Sequence, residues 1–303
     1  NLKTAMVPDI SIEIQEDIIR LYSKLKIEHN VASDVLTQQK NDIKALKQAI
    51  LQEAVQGKLT KKWREENPNV ESASELIERI EQEKHQFTVE KKIKVEKLLS
   101  KIEIDKFLLP SSWSFCKLGN FIYYGSTNKK ECFGVADEEW VLELEDIEKT
   151  SSALIKKVRF KERPFKSTKN VFYKGDVLYG KLRPYLDKVI VADENGLCST
   201  EIMPIKLFCE SSPEYLKWCL KSPRFIEYAN DSTHGMRMPR LGTDAAKNAT
   251  IPIPPLEEQK AIVDKVNSLI ALCDELEQQT DNSQTQIEQL MQSCLSEVLT
   301  KDL

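Results

Sequence analysis

Histidine, the residue most used in catalysis at neutral pH, is almost missing from this chain. It occurs only as His29, His85 and His234, far apart and in different local contexts. No HExxH, GxSxG or phosphate-loop pattern is present, so zinc-peptidase, serine-hydrolase and nucleotide-hydrolysing chemistry have no support. No group of Cys, His, Asp and Glu has zinc or calcium spacing, which leaves no metal centre to expect. The cysteines number seven, an odd count, and none forms a CxxC pair. A disulfide framework is therefore excluded in favour of small buried hydrophobes in a reducing cytosol. No run of eighteen apolar residues exists, so a membrane-spanning helix is not expected. The N-terminus lacks signal-peptide order, and a cytoplasmic location follows. The first residue is Asn1 rather than Met, which fits a fragment or a processed product.

What is abundant is charge. Of 303 residues 30% are charged and 41% hydrophobic, a balance suited to exposed helix, and the length suggests two domains. The net charge of −4 hides an asymmetry. Lys149–Lys188 holds twelve Lys and Arg against three Asp and Glu, whereas Ile251–Leu303 holds three against ten. A basic region on an acidic scaffold is the footprint of a nucleic-acid-binding domain.

The chain is organised around Ile251–Gln278, IPIPPLEEQKAIVDKVNSLIALCDELEQ. Its prolines suit the start of a helix, and Glu257 and Glu258 suit the positive end of the helix dipole. Apolar residues then alternate at spacings of four and three: Ile262, Val266, Leu269, Cys273, Leu276, then Ile287, Leu290 and Cys294, with a polar break at Thr280 and Ser283. This is a coiled-coil seam. Subtracting 244 from each number recovers the same element earlier in the chain, with Ile251-Pro252 on Val7-Pro8, Leu269 on Leu25, Ile287 on Ile43 and Leu290 on Leu46. The first copy's seam runs through Ile18, Leu25, Leu36, Ile43 and Leu46, with polar residues at His29 and Gln39. Two copies are too few for a solenoid, so two matching long helices are expected to pair around whatever lies between them.

The order read along the chain is then as follows. Residues 1–10 form the exit of a preceding module, and residues 11–60 hold the first long helix, which ends before Gly57. At 1.5 Å per residue that helix spans on the order of 70 Å. Residues 61–104 form a connection and a charged helix capped by Ser72 or Ser74. Residues 105–250 form one α+β globular domain, with strands expected at Trp113–Cys116, Phe121–Tyr124, Trp140–Leu144, Leu154–Phe160, Val171–Tyr173, Asp176–Tyr179, Lys188–Ala192 and Glu201–Leu207. Short helices are expected at Pro213–Leu220 and Pro223–Ala229. Residues 251–303 form the second long helix, with a distortion near Thr280–Ser283. The fold class is thus α+β, one globular domain flanked by two long helices that pair as an antiparallel coiled coil.

Three polar stretches of the middle domain suit contact with DNA. The sharpest is KGDVLYGKLRPY, from which Lys181, Arg183, Tyr185 and Lys188 emerge after a short apolar strand. Lys and Arg neutralise phosphates, and Arg can pair bidentately with guanine. Ser126, Thr127, Asn128, Lys129 and Lys130 form a small basic loop, and His234, Arg237 and Arg240 lie in a loop with flexible Gly235. Asn67-Pro68-Asn69-Val70 has part of an amino-methyltransferase signature, but the aromatic fourth residue and a Gly-rich cofactor loop are both missing. The composition also leaves open a coiled-coil adaptor that binds only protein, without DNA specificity.

The motifs IPIPPLEEQKAIVDKV, ALKQAILQEAVQGKLTKKWREENP, LPSSWSFCKLGN, KGDVLYGKLRP and GLCSTEI together resemble the DNA-specificity subunit of type I restriction–modification enzymes. The resemblance extends over essentially the whole chain. It implies the C-terminal half of such a subunit: central conserved helix, second target-recognition domain, distal conserved helix. It further implies a non-catalytic protein that reads one half of a bipartite double-stranded DNA site, with the paired helices as a spacer ruler. Implied partners are the modification (methyltransferase) subunits and a restriction (motor and nuclease) subunit. No cofactor is implied in this chain; S-adenosylmethionine and ATP would belong to those partners. A half-length chain also admits a homodimer formed through the long helices.

Overall fold

The computed structural model describes residues 11–90, 109–123 and 128–301. The expected exit segment, residues 1–10, and the later part of the charged connecting helix lie outside the described residues. The architecture is α+β: two long helices, α1 (Ile12–Val55) and α8 (Leu256–Lys301), stand before and after a sheet domain in the chain. The chain divides into two compact units, one of residues 48–267 and one drawn from residues up to 47 and from 268 onward.

In the second of these units the helices run antiparallel. Lys40 pairs with Asp281 at 2.7 Å, and seven residues on, Lys47 pairs with Asp274 at 2.7 Å and Glu277 at 2.5 Å. The buried positions are Leu36 and Ile43 on α1, Cys273 and Thr280 on α8, each pair one heptad apart. Ile18, Leu25, Leu269 and Ile287 are half-buried. Leu46 and Leu290, expected in the seam, are instead 47% and 64% exposed. An unsupercoiled helix drifts about 20° per heptad, so one central row stays covered while flanking positions rotate to the rim. Beside Leu46, Lys47 is half-buried and reaches across to Asp274 and Glu277. Where a distortion was expected near Thr280–Ser283, α8 runs on as one uninterrupted helix. Thr280 Oγ1 donates to the Leu276 carbonyl and Ser283 Oγ to that of Gln279, both at 2.9 Å, so each hydroxyl is satisfied by its own helix.

In residues 48–267, α1 ends with Ile50, Leu51, Ala54 and Val55 buried. Gly57 follows in the left-handed region at φ 69°, the usual glycine stop, and Lys58 N–H donates to the Glu53 carbonyl at 3.0 Å. Ile262 and Val266 of α8 are fully buried in this unit. The connection carries a short helix, α2 (Lys61–Glu66). Then comes α3 (Ala73–Glu90). Ser72 starts it as a capping box, accepting from Glu75 N–H (3.3 Å) while its own N–H donates to the Glu75 carboxylate (2.7 Å).

Strand β1 (Ser114–Lys117) leads into a single helical turn, α4 (Leu118–Phe121); of the strand expected at Phe121–Tyr124, Phe121 closes this turn, Tyr123 bridges to Lys206 and Tyr124 lies outside the described residues. Seven strands follow: β2 (Lys129–Lys130), β3 (Trp140–Leu142), β4 (Lys169–Phe172), β5 (Val177–Gly180), β6 (Val189–Val191), β7 (Gly196–Cys198) and β8 (Ile202–Ile205). Helices α5 (Pro213–Leu220), α6 (Pro223–Asp231) and α7 (Thr243–Asn248) precede β9 (Thr250–Ile253), which pairs antiparallel with β1. The Ile251-Pro252 stretch is thus a strand before it is a helix start. Leu154–Phe160, expected as a strand, makes only isolated bridges at Leu154 and Arg159.

Two larger sheets form the core, ordered β2-β4-β7-β3 and β6-β5-β8. The alternation of strand side chains decides what each face meets. Leu178, Ile190 and Ile202 turn toward Trp140, Leu142, Phe172 and Cys198 of the four-stranded sheet. Val177, Tyr179, Val189, Met203 and Ile205 turn the other way, into a cluster with Leu76, Ile80, Leu216 and Phe225 of the helices. A sheet covered on both faces explains the uninterrupted apolar runs VLY, VIV and IMPI. Helices α5 and α6 both begin with Ser then Pro, and the Ser212 and Ser222 hydroxyls accept from Tyr215 and Phe225 N–H.

Candidate nucleic-acid interface

Strand β5 ends at Gly180, where a Cβ would meet Leu144 at 2.9 Å and the Lys188 carbonyl at 3.3 Å. Beyond it Lys181 N–H donates to the Glu201 carbonyl (3.0 Å), Arg183 N–H to that of Pro239 (2.8 Å), and Leu241 N–H back to that of Lys181 (2.9 Å). Leu182 and Arg240 form an antiparallel bridge. Two of the three polar stretches are therefore joined backbone to backbone. Arg183 (φ 52°) and Asp187 (φ 50°) are left-handed and bracket a 3-10 turn over Pro184–Leu186. This turn buries Pro184 and leaves Arg183 and Tyr185 exposed.

The third stretch reaches the same end of the domain through the sheets. Lys129 faces Asn170 across the β2–β4 pair; Asn170 Nδ2 donates to the Ile202 carbonyl at 3.1 Å; Ile202 faces Gly180 across β5–β8. Asn128 and Lys129 are exposed. Lys130 is half-buried and pairs with Glu139 at 3.0 Å. Ser126 and Thr127 lie outside the described residues. His234 and Arg237 are exposed on the loop after α6, and Arg240 is exposed but pairs with Glu201 at 2.7 Å. Lys188, expected to emerge beside Lys181, instead turns inward and donates to the Leu144 carbonyl at 2.7 Å, and burial lowers its pKa. Lys181, Arg183 and Arg237 make no side-chain hydrogen bond or ion pair with the described residues.

The basic excess of Lys149–Lys188 is largely neutralised by acids outside that segment. Arg163 forks onto Asp146 at 2.5 and 2.8 Å, and Lys169 pairs with Glu143. Arg159 and Lys157 reach Glu194 and Asp193, and Lys161 reaches Glu138. Charge counting along the sequence missed this, because the acids stand before and after the counted window. It also missed Lys221 and Ser152, which hold the Arg183–Asp187 turn from beneath, since a lone Lys in an amphipathic helix has no distinguishing local signal.

Among the described residues no group of three or more His, Cys, Asp and Glu is placed to hold a metal ion. No helix among them is long and apolar enough to cross a membrane. What remains is a positively charged, hydrogen-bond-rich end with a protruding Tyr and Arg, suited to a polyanion with readable edges.

The family described as "Type I restriction modification DNA specificity domain" matches residues 101–286. The chain belongs to this family. The matched specificity domain takes in both core sheets and more than half of α8. Similar proteins include the type I restriction enzyme EcoDI specificity subunit of Escherichia coli, 27% identical over 263 residues, covering 86% of this chain and 54% of that protein. The EcoAI specificity subunit of Escherichia coli is 31% identical over 269 residues, covering 84% and 44%. The chain thus spans about half the length of the curated relatives it matches. A solved chain, from work on complex assembly and conformational transition of the type I R-M system, has a TM-score of 0.60 at 15% identity, covering 98% of this chain and 61% of that one. That is a likeness of fold.

Proposed function

We propose that this chain is a non-catalytic DNA-specificity subunit of a type I restriction–modification complex, acting in the cytoplasm, and that its sheet domain reads one half of a bipartite site in double-stranded DNA. The observation that carries this is the convergence of the Asn128–Lys130, Lys181–Tyr185 and Arg237–Arg240 stretches at one end of a specificity domain. Arg183, Tyr185 and Arg237 are the direct readers, Lys129 and Lys181 the phosphate contacts. The antiparallel helices serve as a ruler and as the seat of the modification subunits. Exposed apolar residues on α1 (Ile19, Ile27, Val31 and Val35) support protein docking there. S-adenosylmethionine and ATP belong to the modification and restriction partners. Two chains joined through their helices would read a symmetric site.

The test is to map methylated adenines in DNA treated with this chain and modification subunits. A fixed motif that vanishes when the chain is omitted is expected; methylation that ignores the chain would refute the reading.

A further inference from the structure

The exposed turn that carries Arg183 and Tyr185 stands on a buried ionic network. Lys221, 3% exposed, caps the end of α5. Its ammonium donates to Asp187 Oδ2 (2.7 Å), Ser152 Oγ (2.8 Å) and the Thr150 carbonyl (2.8 Å), which uses all three of its hydrogens. The Ser152 hydroxyl donates to the Asp187 carbonyl (2.7 Å) and accepts from Val189 N–H (3.0 Å). Thr150 N–H closes the loop on the Leu186 carbonyl at 2.9 Å. Four non-glycine residues here are left-handed: Thr150, Ser152, Arg183 and Asp187. Such backbone persists only where its surroundings over-determine it. A buried ion pair is a poor way to stabilise a fold, because desolvation offsets the attraction and apolar residues would serve as well. Its particular contribution is direction, since the Lys221 ammonium and the Ser152 hydroxyl between them fix the Asp187 carboxylate, the Asp187 carbonyl and the Val189 N–H.

We propose that Lys221 and Asp187 are positioning residues for DNA reading, holding Arg183 and Tyr185 in the single turn conformation that presents both outward. The proposal rests on the reading of Arg183 as a DNA contact, and it deepens that reading by naming what sets the contact's geometry. Neither residue reaches DNA itself, for both are buried.

A double-mutant cycle on the full chain tests this. The probes are a duplex carrying the sequence that the parent enriches from a randomised pool, and a scrambled duplex of the same length and composition. Lys221→Met should weaken binding to the enriched duplex by about tenfold while shifting the scrambled one by less than about twofold, the loss expected of one misplaced base contact. Lys221→Met combined with Arg183→Ala should bind no more weakly than Arg183→Ala alone. Asp187→Asn keeps the shape and suits left-handed backbone; if Lys221→Met fails to fold, the same cycle run with Asp187→Asn decides. Additive losses, or parent-like discrimination in folded variants, would overturn the positioning role while Arg183→Ala still impairs reading. If Arg183→Ala leaves discrimination untouched, the site reading itself falls, and the positioning role with it.

Discussion

Trp113 donates its indole N–H to Glu258 Oε2 at 2.7 Å, across 145 positions of chain. The other carboxylate oxygen takes the Thr60 hydroxyl at 2.6 Å and the Arg64 guanidinium, which also donates to the Gly57 carbonyl at 2.6 Å. Glu258 is completely buried. Three separate stretches therefore meet on one carboxylate: the segment after α1, the turn before β1 and the start of α8. Removing it would orphan the Trp113 indole N–H, take the acceptor from the Thr60 hydroxyl and leave the half-buried Arg64 guanidinium without its counter-charge. Glu258→Ala is expected to destabilise by about 3 kcal/mol, and Glu258→Gln, which keeps some hydrogen bonds, by less. Urea unfolding curves measure both; a loss under about 1 kcal/mol for the alanine variant would contradict this account.

A steric prediction concerns β7. A Cβ on Gly196 would lie 2.6 Å from Phe172 Cζ and 2.8 Å from the Trp140 carbonyl oxygen. The Phe172 ring is held edge to face by the Trp140 ring at 5.1 Å, and the Trp140 carbonyl belongs to the backbone of β3, so neither gives way without disturbing the core. Gly196→Ala should cost about 2–3 kcal/mol by overpacking. Gly242→Ala, where nothing lies within 4 Å, is the control and should cost well under about 1 kcal/mol. Thermal melts of the two variants should differ clearly.

Asp176 makes a pH prediction. Burial pushes its carboxyl up from 3.8 to about 6, against the opposing pull of the hydrogen bond from Tyr173 N–H and the charge of Lys206. A folded pKa above the unfolded one means a contribution to stability that is present below about pH 4 and is lost as pH rises through about 6. Asp176→Asn removes that titration and still accepts from Tyr173. Relative to the parent, the variant should gain about 1 kcal/mol between pH 4 and pH 7, with allowance for solvent near the group. Urea melts at both pH values read the difference; a parent and variant that keep the same gap at both would exclude it.

The long helices were legible because a repeat of apolar spacing survives any context, and α1 and α8 begin and end within two residues of where Gly57, Pro255 and the seam place them. Helices α5 and α6 were legible from Ser-Pro starts. The short strands were less so. Gly196–Cys198 reads as the tail of a turn, and only its partners on both sides make it a central strand. Thr250–Ile253 carries three β-branched residues and a proline, and reads as rigid lead-in until β1 pairs with it. Glu258 shows the limit most plainly: from the sequence it is a favourable charge at a helix start, yet its place is a buried junction of three distant segments. Ion pairing defeated the charge count for the same reason, since Asp146 and Glu194 lie outside the window that looked basic.

That ion pairing yields a prediction on DNA affinity. If phosphate contact is made by unpaired cations, Lys181→Ala should lower the slope of log affinity against log salt by about 1, and Lys161→Ala or Lys157→Ala should leave it unchanged. Lys161 and Lys157 already hold Glu138 and Asp193. Titrations of the scrambled duplex across a salt series provide the slopes. Equal losses for all three variants would mean that the acids release their partners on binding.

The helix pair supplies the last prediction. Thr280 occupies a covered position, 7% exposed, one heptad after Cys273 and facing the stretch of α1 around Gln39 and Ile43. Its hydroxyl is spent on the Leu276 carbonyl of the same helix, so replacing it orphans nothing on α1. Thr280→Val removes a buried polar atom while keeping shape and β-branching, and should raise stability by up to about 1 kcal/mol. The residue would then be retained for alignment rather than strength, because a polar position in a seam disfavours other registers. Disulfide trapping between cysteines placed at Lys40 and Asp281, and separately one heptad out of step, distinguishes the two roles. A single crosslinked register in the parent, and a second one appearing in Thr280→Val, is the expected outcome; a valine variant that is both unchanged in stability and single in register would remove any role for the hydroxyl.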